Sequence, residues 1–203
     1  MSITMRRDLQ TPIRVTEVLD YFATPWLVDW KLRVGKREAN RISKEAMKIG
    51  SRVDEIIKNC PIDPFFDKEK IEVTNCIDAY YKWMSVYKPK SITPCTRLYA
   101  TIDGIEVTGE PDLMVDDVLV DIKCSSKISP NYWVQVNIYS KLMYRDEVYN
   151  VNPFKVAILR LDKKTGSYEY VVKDYDPNLV DVWRGLLKAY CYYKERDDDG
   201  VEL

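Results

Sequence analysis

Histidine is missing altogether from the 203 residues. That excludes Ser-His-Asp and Cys-His catalysis, histidine-ligated zinc and a histidine general base. Any chemistry falls to carboxylates, lysine, tyrosine, cysteine or a metal ion held by oxygen ligands. The cysteines, Cys60, Cys76, Cys95, Cys124 and Cys191, are odd in number, widely spread and without a CxxC pair. Neither a disulfide framework nor a zinc or iron–sulfur site is expected, and reduced structural thiols are the simpler reading. No stretch reaches the roughly eighteen apolar residues of a membrane span. The first residues, Met1 to Asp8, carry charges with no apolar run behind them, so a cytoplasmic protein with no membrane partner is expected. There is no P-loop, so any helicase or motor would be a separate partner. Repeats and low-complexity segments are absent too.

A net charge of −1 gives no global attraction to polyanions. Locally the balance differs. Arg33, Lys36, Arg37, Arg41 and Lys44 form a basic cluster, and Asp197, Asp198 and Asp199 an acidic tail. By itself the cluster reads as a solvated helix face; it becomes a phosphate-binding candidate only if other features point to nucleic acid.

What is present is an ordinary globular composition, 46% apolar and 31% charged, long enough to bury the core of a single domain without staples. Residues 1–89 read as a mainly helical lead-in. Thr16 looks like an N-cap, Thr24-Pro25 pairs a cap with a first-turn proline, and Ala46, Ile49, Val53 and Ile57 recur at helical spacing between Lys36 and Asn59. A further helix is expected from about Lys68 to Tyr87, with Ile71, Ile77, Tyr80, Tyr81 and Met84 on it. Residues 90–203 carry the strands. Asp103-Gly104 between Leu98–Ile102 and Ile105–Val107 signals a hairpin with a type I′ turn. A second strand pair brackets Asp116-Asp117 and leads into Val118–Lys123. Ser129-Pro130 opens a helix to about Glu147, strands follow at Phe154–Leu159 and Tyr168–Val172, and Asp176-Pro177 opens a last helix to about Arg196. Helices, three strands, a helix, more strands and a closing helix make an α+β protein, a mixed sheet with helices against it.

Period-two geometry puts Leu119, Asp121 and Lys123 on one strand face and Val118, Val120 and Ile122 on the other. A carboxylate and an ammonium projecting from an apolar strand are costly to bury unless paired or bound to a metal. Upstream, Gly109-Glu110-Pro111-Asp112 sets another carboxylate where a strand bends. Downstream, Gln135 and Tyr139 share a helix face. The plain alternative is an edge-strand salt bridge between Asp121 and Lys123, with Asp112 on a turn; D-x-K alone is a weak signal.

In combination these residues resemble a known family. Pro111-Asp112 followed by Asp121-Ile122-Lys123 resembles the motif of the PD-(D/E)xK nucleases, and Gln135–Tyr139 the Q-x-x-x-Y motif of their RecB-type branch, which includes the lambda-type phage exonucleases. Arg14–Leu19, Trp30-Lys31 and Lys48–Glu55 are similar to that branch's helical lead-in, so the resemblance spans roughly Arg14 to Tyr144. It implies a restriction-endonuclease-like core and a divalent-metal-dependent DNA nuclease. By that pattern Asp112, Asp121 and the carbonyl of Ile122 hold one or two Mg²⁺ or Mn²⁺ ions, Lys123 orients or deprotonates the attacking water, and Gln135 and Tyr139 contact the phosphate or the neighbouring nucleotide. Where the branch has a histidine four residues after a helix glycine, this chain has Asp54; it is the expected extra ligand, with Glu55 or a merely solvated Asp54 as alternatives. The iron–sulfur cysteine set of the CRISPR-associated subgroup is missing.

The implied partner is DNA, at single- or double-stranded ends, with recombination or replication proteins beside it, as in phage-type relatives. Arg33 to Lys44 is then a candidate DNA-binding patch. Fifteen tyrosines and five tryptophans offer stacking surfaces, although Trp133, Tyr144 and Trp183 read more simply as core or half-core residues. Two rivals stand beside the nuclease: a catalytically silent nuclease-fold module that binds DNA or a protein partner, and an α+β interaction protein whose D-x-K is coincidental. In the last, Asp112, Asp121 and Lys123 need not converge; if they lie far apart, the nuclease reading fails. Exo- versus endonuclease action, strand polarity and oligomeric state are not encoded in any motif.

Overall fold

Strand β6 (Val118–Lys123) is the middle strand of a five-stranded sheet ordered β2-β5-β6-β7-β8, with β2 at Ile92–Pro94, β5 at Leu113–Val115, β7 at Lys155–Leu161 and β8 at Tyr168–Asp174. In this computed structural model the described residues are 11–22, 25–62, 69–145 and 155–198. Only β6 and β7 pair in parallel; the other neighbours in that sheet are antiparallel. The parallel pair needs a crossover, and helix α5 (Pro130–Arg145) lies within it. A second sheet, β1-β4-β3, joins Ile13–Arg14, Ile105–Gly109 and Leu98–Ile102. The remaining helices are α1 (Val15–Tyr21), α2 (Pro25–Val34), α3 (Lys36–Asn59), α4 (Ile71–Tyr87) and α6 (Pro177–Asp198).

The alternation on β6 divides the core as its sequence requires. Leu119 packs with α1, α5, α6 and the smaller sheet, whereas Val118 and Val120 pack with α3 and α4. Each side chain on the strand is thus committed to one layer, and a slip of one residue would turn Asp121 into the apolar layer on the other side. Among the described residues, no helix is long and apolar enough to cross a membrane.

Most expected elements form where their patterns lie. Helix α3 begins at Lys36 and ends at Asn59, burying Ile49, Val53, Ile56 and Ile57. Asp103 and Gly104 both adopt positive φ, 51° and 81°, as a type I′ turn demands. Ser129 accepts at its Oγ from Asn131 N–H at the start of α5.

Several details differ. Helix α1 starts at Val15, and the extended residue before it is Arg14, so Thr16 lies inside the helix and is not its cap. The reason is tertiary: Ile13 and Arg14 pair in parallel with Val107 and Thr108, which fixes where the extended chain stops. Ile71 is 66% exposed, and the buried side of α4 runs through Val73, Cys76, Ile77, Tyr80 and Trp83 instead. The two short strands β1 and β2 were too brief to carry a periodic signal, and five strands, not three, lie between α4 and α5. The strands group into two sheets instead of one. Strand β8 continues to Asp174. The expected positions at Thr24, Lys68, Glu147, Phe154 and Asp199 lie outside the described residues.

Candidate active site

The antiparallel register Leu113↔Val120 ends β5 against β6. One step further the same register brings Asp112 opposite Asp121, on the strand face that carries Leu119. Residues Glu110 to Asp112 form the crossover from β4 of the smaller sheet to β5 of the larger one. Pro111 suits that crossover because it has no N–H to offer a ladder. Asp112 is pinned at both ends. Its carboxylate Oδ2 accepts from Ile122 N–H at 2.6 Å, and its carbonyl accepts from Cys95 N–H at 2.9 Å.

Asp121 is 1% exposed. Its Oδ2 lies 2.7 Å from Lys123 Nζ. From the other side Gln135 Nε2 donates to Asp121 Oδ1 at 3.4 Å and to the Tyr139 hydroxyl at 2.9 Å. The Lys123 ammonium also stands 5.2 Å from the Tyr132 ring centroid, a cation–π contact. Asp112, Asp121, Lys123 and Gln135 therefore converge, as the nuclease reading requires.

Helix α3 closes the opposite wall. Ala46, Met47, Gly50 and Asp54, spaced three and four apart, face a cleft of about 390 Å³ that Asp112, Asp121, Lys123 and Gln135 also line. Two residues given no role from sequence meet these carboxylates: Glu110, which also lines the cleft, and Lys58. Lys58, one turn beyond Asp54, places Nζ 3.2 Å from Asp54 Oδ1, 3.2 Å from Glu110 Oε1 and 3.5 Å from Asp112 Oδ1. Glu110 is in turn held by Arg97 at 2.7 Å. The i,i+4 spacing of Asp54 and Lys58 was visible in the sequence, but the approach of Glu110 across 52 positions was not.

The electrostatics are those of crowded carboxylates. Burial, reinforced by the negative charge of Asp112, pushes Asp54 up to about 6 against the pull of Lys58. Burial likewise pushes Asp121 up to about 7; Lys123 opposes this, while Asp112 and Asp54 add to it. For Lys123, burial disfavours the charged form but is outweighed by Asp121 and Asp112, so the ammonium is held above its ordinary range. Lys58 follows the same logic with Asp112, Asp54 and Glu110.

Two carboxylate oxygens, Asp54 Oδ1 and Asp121 Oδ2, are buried without a hydrogen bond; their lysines stand at ion-pair distance but off the bonding direction. Such atoms, on a set of oxygen donors, fit a hard divalent ion such as Mg²⁺. Among the described residues, however, no three acidic, cysteine or histidine side chains are gathered into one coordination shell. The lysines stand between them.

Tyr139 is 4% exposed and sits behind Gln135 instead of facing the cleft. Its ring lies against Gly109: a Cβ there would meet Cε1 at 2.5 Å and Cδ1 at 2.8 Å. Gly109→Ala is expected to displace the ring, loosen the Gln135 hydrogen bond and cost about 1–3 kcal/mol. A urea titration checks this, and an unchanged midpoint would mean that the ring moves freely.

The basic cluster stands apart from the cleft. Arg33, Lys36, Arg37, Arg41 and Lys44 are exposed on α2 and the first half of α3, and none lines it. Arg41 is engaged bidentately by Glu38 at 2.9 and 2.7 Å. Lys44 precedes Gly50 by six helical residues, about 9 Å along the axis. Trp183 is fully buried and Trp133 half-buried, as expected, but Tyr144 is 48% exposed.

Fold and site together define an α+β protein whose architecture is that of solved exonuclease structures. A protein from Eubacterium rectale described as a candidate exonuclease superimposes with a TM-score of 0.51, over 77% of this chain and 69% of its own, at 15% identity. An alkaline exonuclease from Laribacter hongkongensis gives 0.48 over 94% and 95% at 14% identity. A phage-related exonuclease from Haemophilus somnus gives 0.47 over 95% and 97% at 12% identity. No family model and no curated protein matches the sequence.

Proposed function

We propose that this chain is a divalent-metal-dependent deoxyribonuclease, an exonuclease acting on DNA ends in recombination, repair or replication, of the phage-like kind. The observation that carries the reading is the convergence of Asp112, Asp121, Lys123 and Gln135 on one cleft, with Asp54 facing them from α3. Asp112, Asp121 and the Ile122 carbonyl would hold Mg²⁺ or Mn²⁺, with Asp54 as the further ligand. A divalent ion bound there supplies neutralisation of charge on the phosphoryl oxygens and acidifies water.

The chain's own residues do the rest. Lys123, 2.7 Å from Asp121, orients the attacking water and faces the charge that develops on the phosphate. Gln135 holds Asp121 through Oδ1 and leaves its amide carbonyl for the nucleotide. Tyr139 acts through Gln135, by fixing that amide. Phosphates beyond the cleft would meet the exposed cations of α2 and α3 from Arg33 to Lys44.

End-labelled linear single- and double-stranded DNA, incubated with the protein and Mn²⁺, Mg²⁺ or EDTA, tests the reading. Degradation with either metal and none in EDTA is expected, with mononucleotides released from an end. A ladder of internal cuts would make the enzyme an endonuclease. The second reading, a silent module, draws on the lysines that stand between the carboxylates. Retained DNA binding without cleavage under any metal would select it.

A further inference from the structure

Resting on the nuclease reading, we propose that the Lys58 ammonium takes the place of one cation in this cleft, so that the site accepts a single divalent ion, on the side of Asp112 and Asp121. Lys58 is, among the described residues, the one ammonium met by three carboxylates from three separate segments: Asp54 of α3, Glu110 of the crossover and Asp112 at the head of β5. Its side chain is 17% exposed. An ammonium has three donors and no acceptor, so it serves three oxygens much as a small cation would.

Charge balance points the same way. With every carboxyl ionised, as a bound cation would favour, Asp54, Glu110, Asp112 and Asp121 bring four negative charges, and Lys58, Lys123 and Arg97 bring three positive ones. One negative charge is left over. A single divalent ion reverses it to one positive charge, which a phosphodiester then neutralises. A second ion would leave two positive charges unbalanced in a partly buried site, a costly arrangement.

Geometry makes the exchange asymmetric. Asp112 directs Oδ1 towards Lys58 and Oδ2 towards the Ile122 N–H. Lys58 is tethered to a 24-residue helix whose buried residues lock it onto α4 and the sheet. The opposite side differs: the lysine beside Asp121 hangs from the same strand, two residues on, and is not tied to a separate helix. That side can open to an ion while Lys58 stays in place. Lys58 is a positioning residue, holding Asp54 and Asp112 at a fixed separation from each other and from the bound ion.

Calorimetric titration of the full chain with Mn²⁺, without DNA, tests the inference. One bound equivalent is expected for the natural protein and for Lys58→Arg, and two for Lys58→Met. In EDTA, Lys58→Met should melt lower than the natural protein, and Mn²⁺ should raise its midpoint by more, because Asp54 and Asp112 then lack their nearest cation. Should Lys58→Met not fold, Lys58→Gln, which retains a donor, serves in the same titration with the same two equivalents expected. Two equivalents in the natural protein, or one in the neutral variants, would overturn the inference; Mn²⁺-dependent cleavage by the natural protein would then leave the nuclease reading standing. No Mn²⁺ bound and no cleavage would overturn both.

Discussion

Lys123→Ala is expected to lower metal-dependent DNA degradation by about 10²–10⁴-fold, the usual range for a positioned group acting on the transition state. The loss should appear in kcat far more than in DNA affinity. Phosphate contacts outside the cleft carry most non-specific binding, and the exposed cations from Arg33 to Lys44 lie outside the cleft that Lys123 lines. The substitution also strips Asp121 of its nearest cation, at 2.7 Å in a position 1% exposed. Breaking such a pair from one side costs about 3–5 kcal/mol. Part of that penalty is avoided if Asp121 takes up a proton, towards which burial already drives it. Kinetics should therefore be read beside a melting curve and a DNA-binding titration. An inactive variant that is folded and binds DNA establishes the positioning role. A variant with activity within a few-fold of the natural protein would remove Lys123 from the reaction.

Trp183→Ala is expected to have the largest effect on stability. The indole is fully buried where α6 meets α1 and α5, and its Nε1 donates to the Val15 carbonyl at 3.3 Å. Truncating a buried tryptophan costs about 3–5 kcal/mol, through lost burial and the cavity left behind. Domains of this kind have about 5–15 kcal/mol in all. With a urea slope of about 2 kcal/mol per molar, the midpoint should fall by about 2 M. Trp183→Phe, which refills most of the space but loses the N–H donor, should cost less than half as much. A shift under about 0.5 M for the alanine variant would show that the α1–α6 contact is not a principal support of the core.

Lys123 and Trp183 also mark how far the sequence could be read. Lys123 was legible because strand geometry is strictly local: once Val118–Lys123 is a strand, Asp121 and Lys123 must share a face. Asp112 was legible through its motif, and the β5–β6 register explains it, since one further step along the pair sets it opposite Asp121. Trp183 was legible as buried, but nothing near it in the chain says that Val15, 168 positions away, accepts its N–H. The N-terminus of α1 shows the same limit. Thr16 has the chemistry of a cap, yet a pairing with β4 placed the helix start two residues earlier, with Arg14 before it.

By itself, then, the sequence determined what repeats at short range: the helices and strands with clear periodicity, the turn at Asp103-Gly104, the face shared by Asp121 and Lys123, and the exclusion of histidine chemistry. Tertiary structure alone decided the division into two sheets, the closure of Tyr139 on Gly109, and the encirclement of Lys58 by Asp54, Glu110 and Asp112. The reason is physical. Backbone geometry fixes neighbours within a few residues, whereas the field at a buried charge comes from groups that only packing brings near. Lys58 and Glu110 therefore carry no local signal of their meeting, although they now set the charge balance of the cleft.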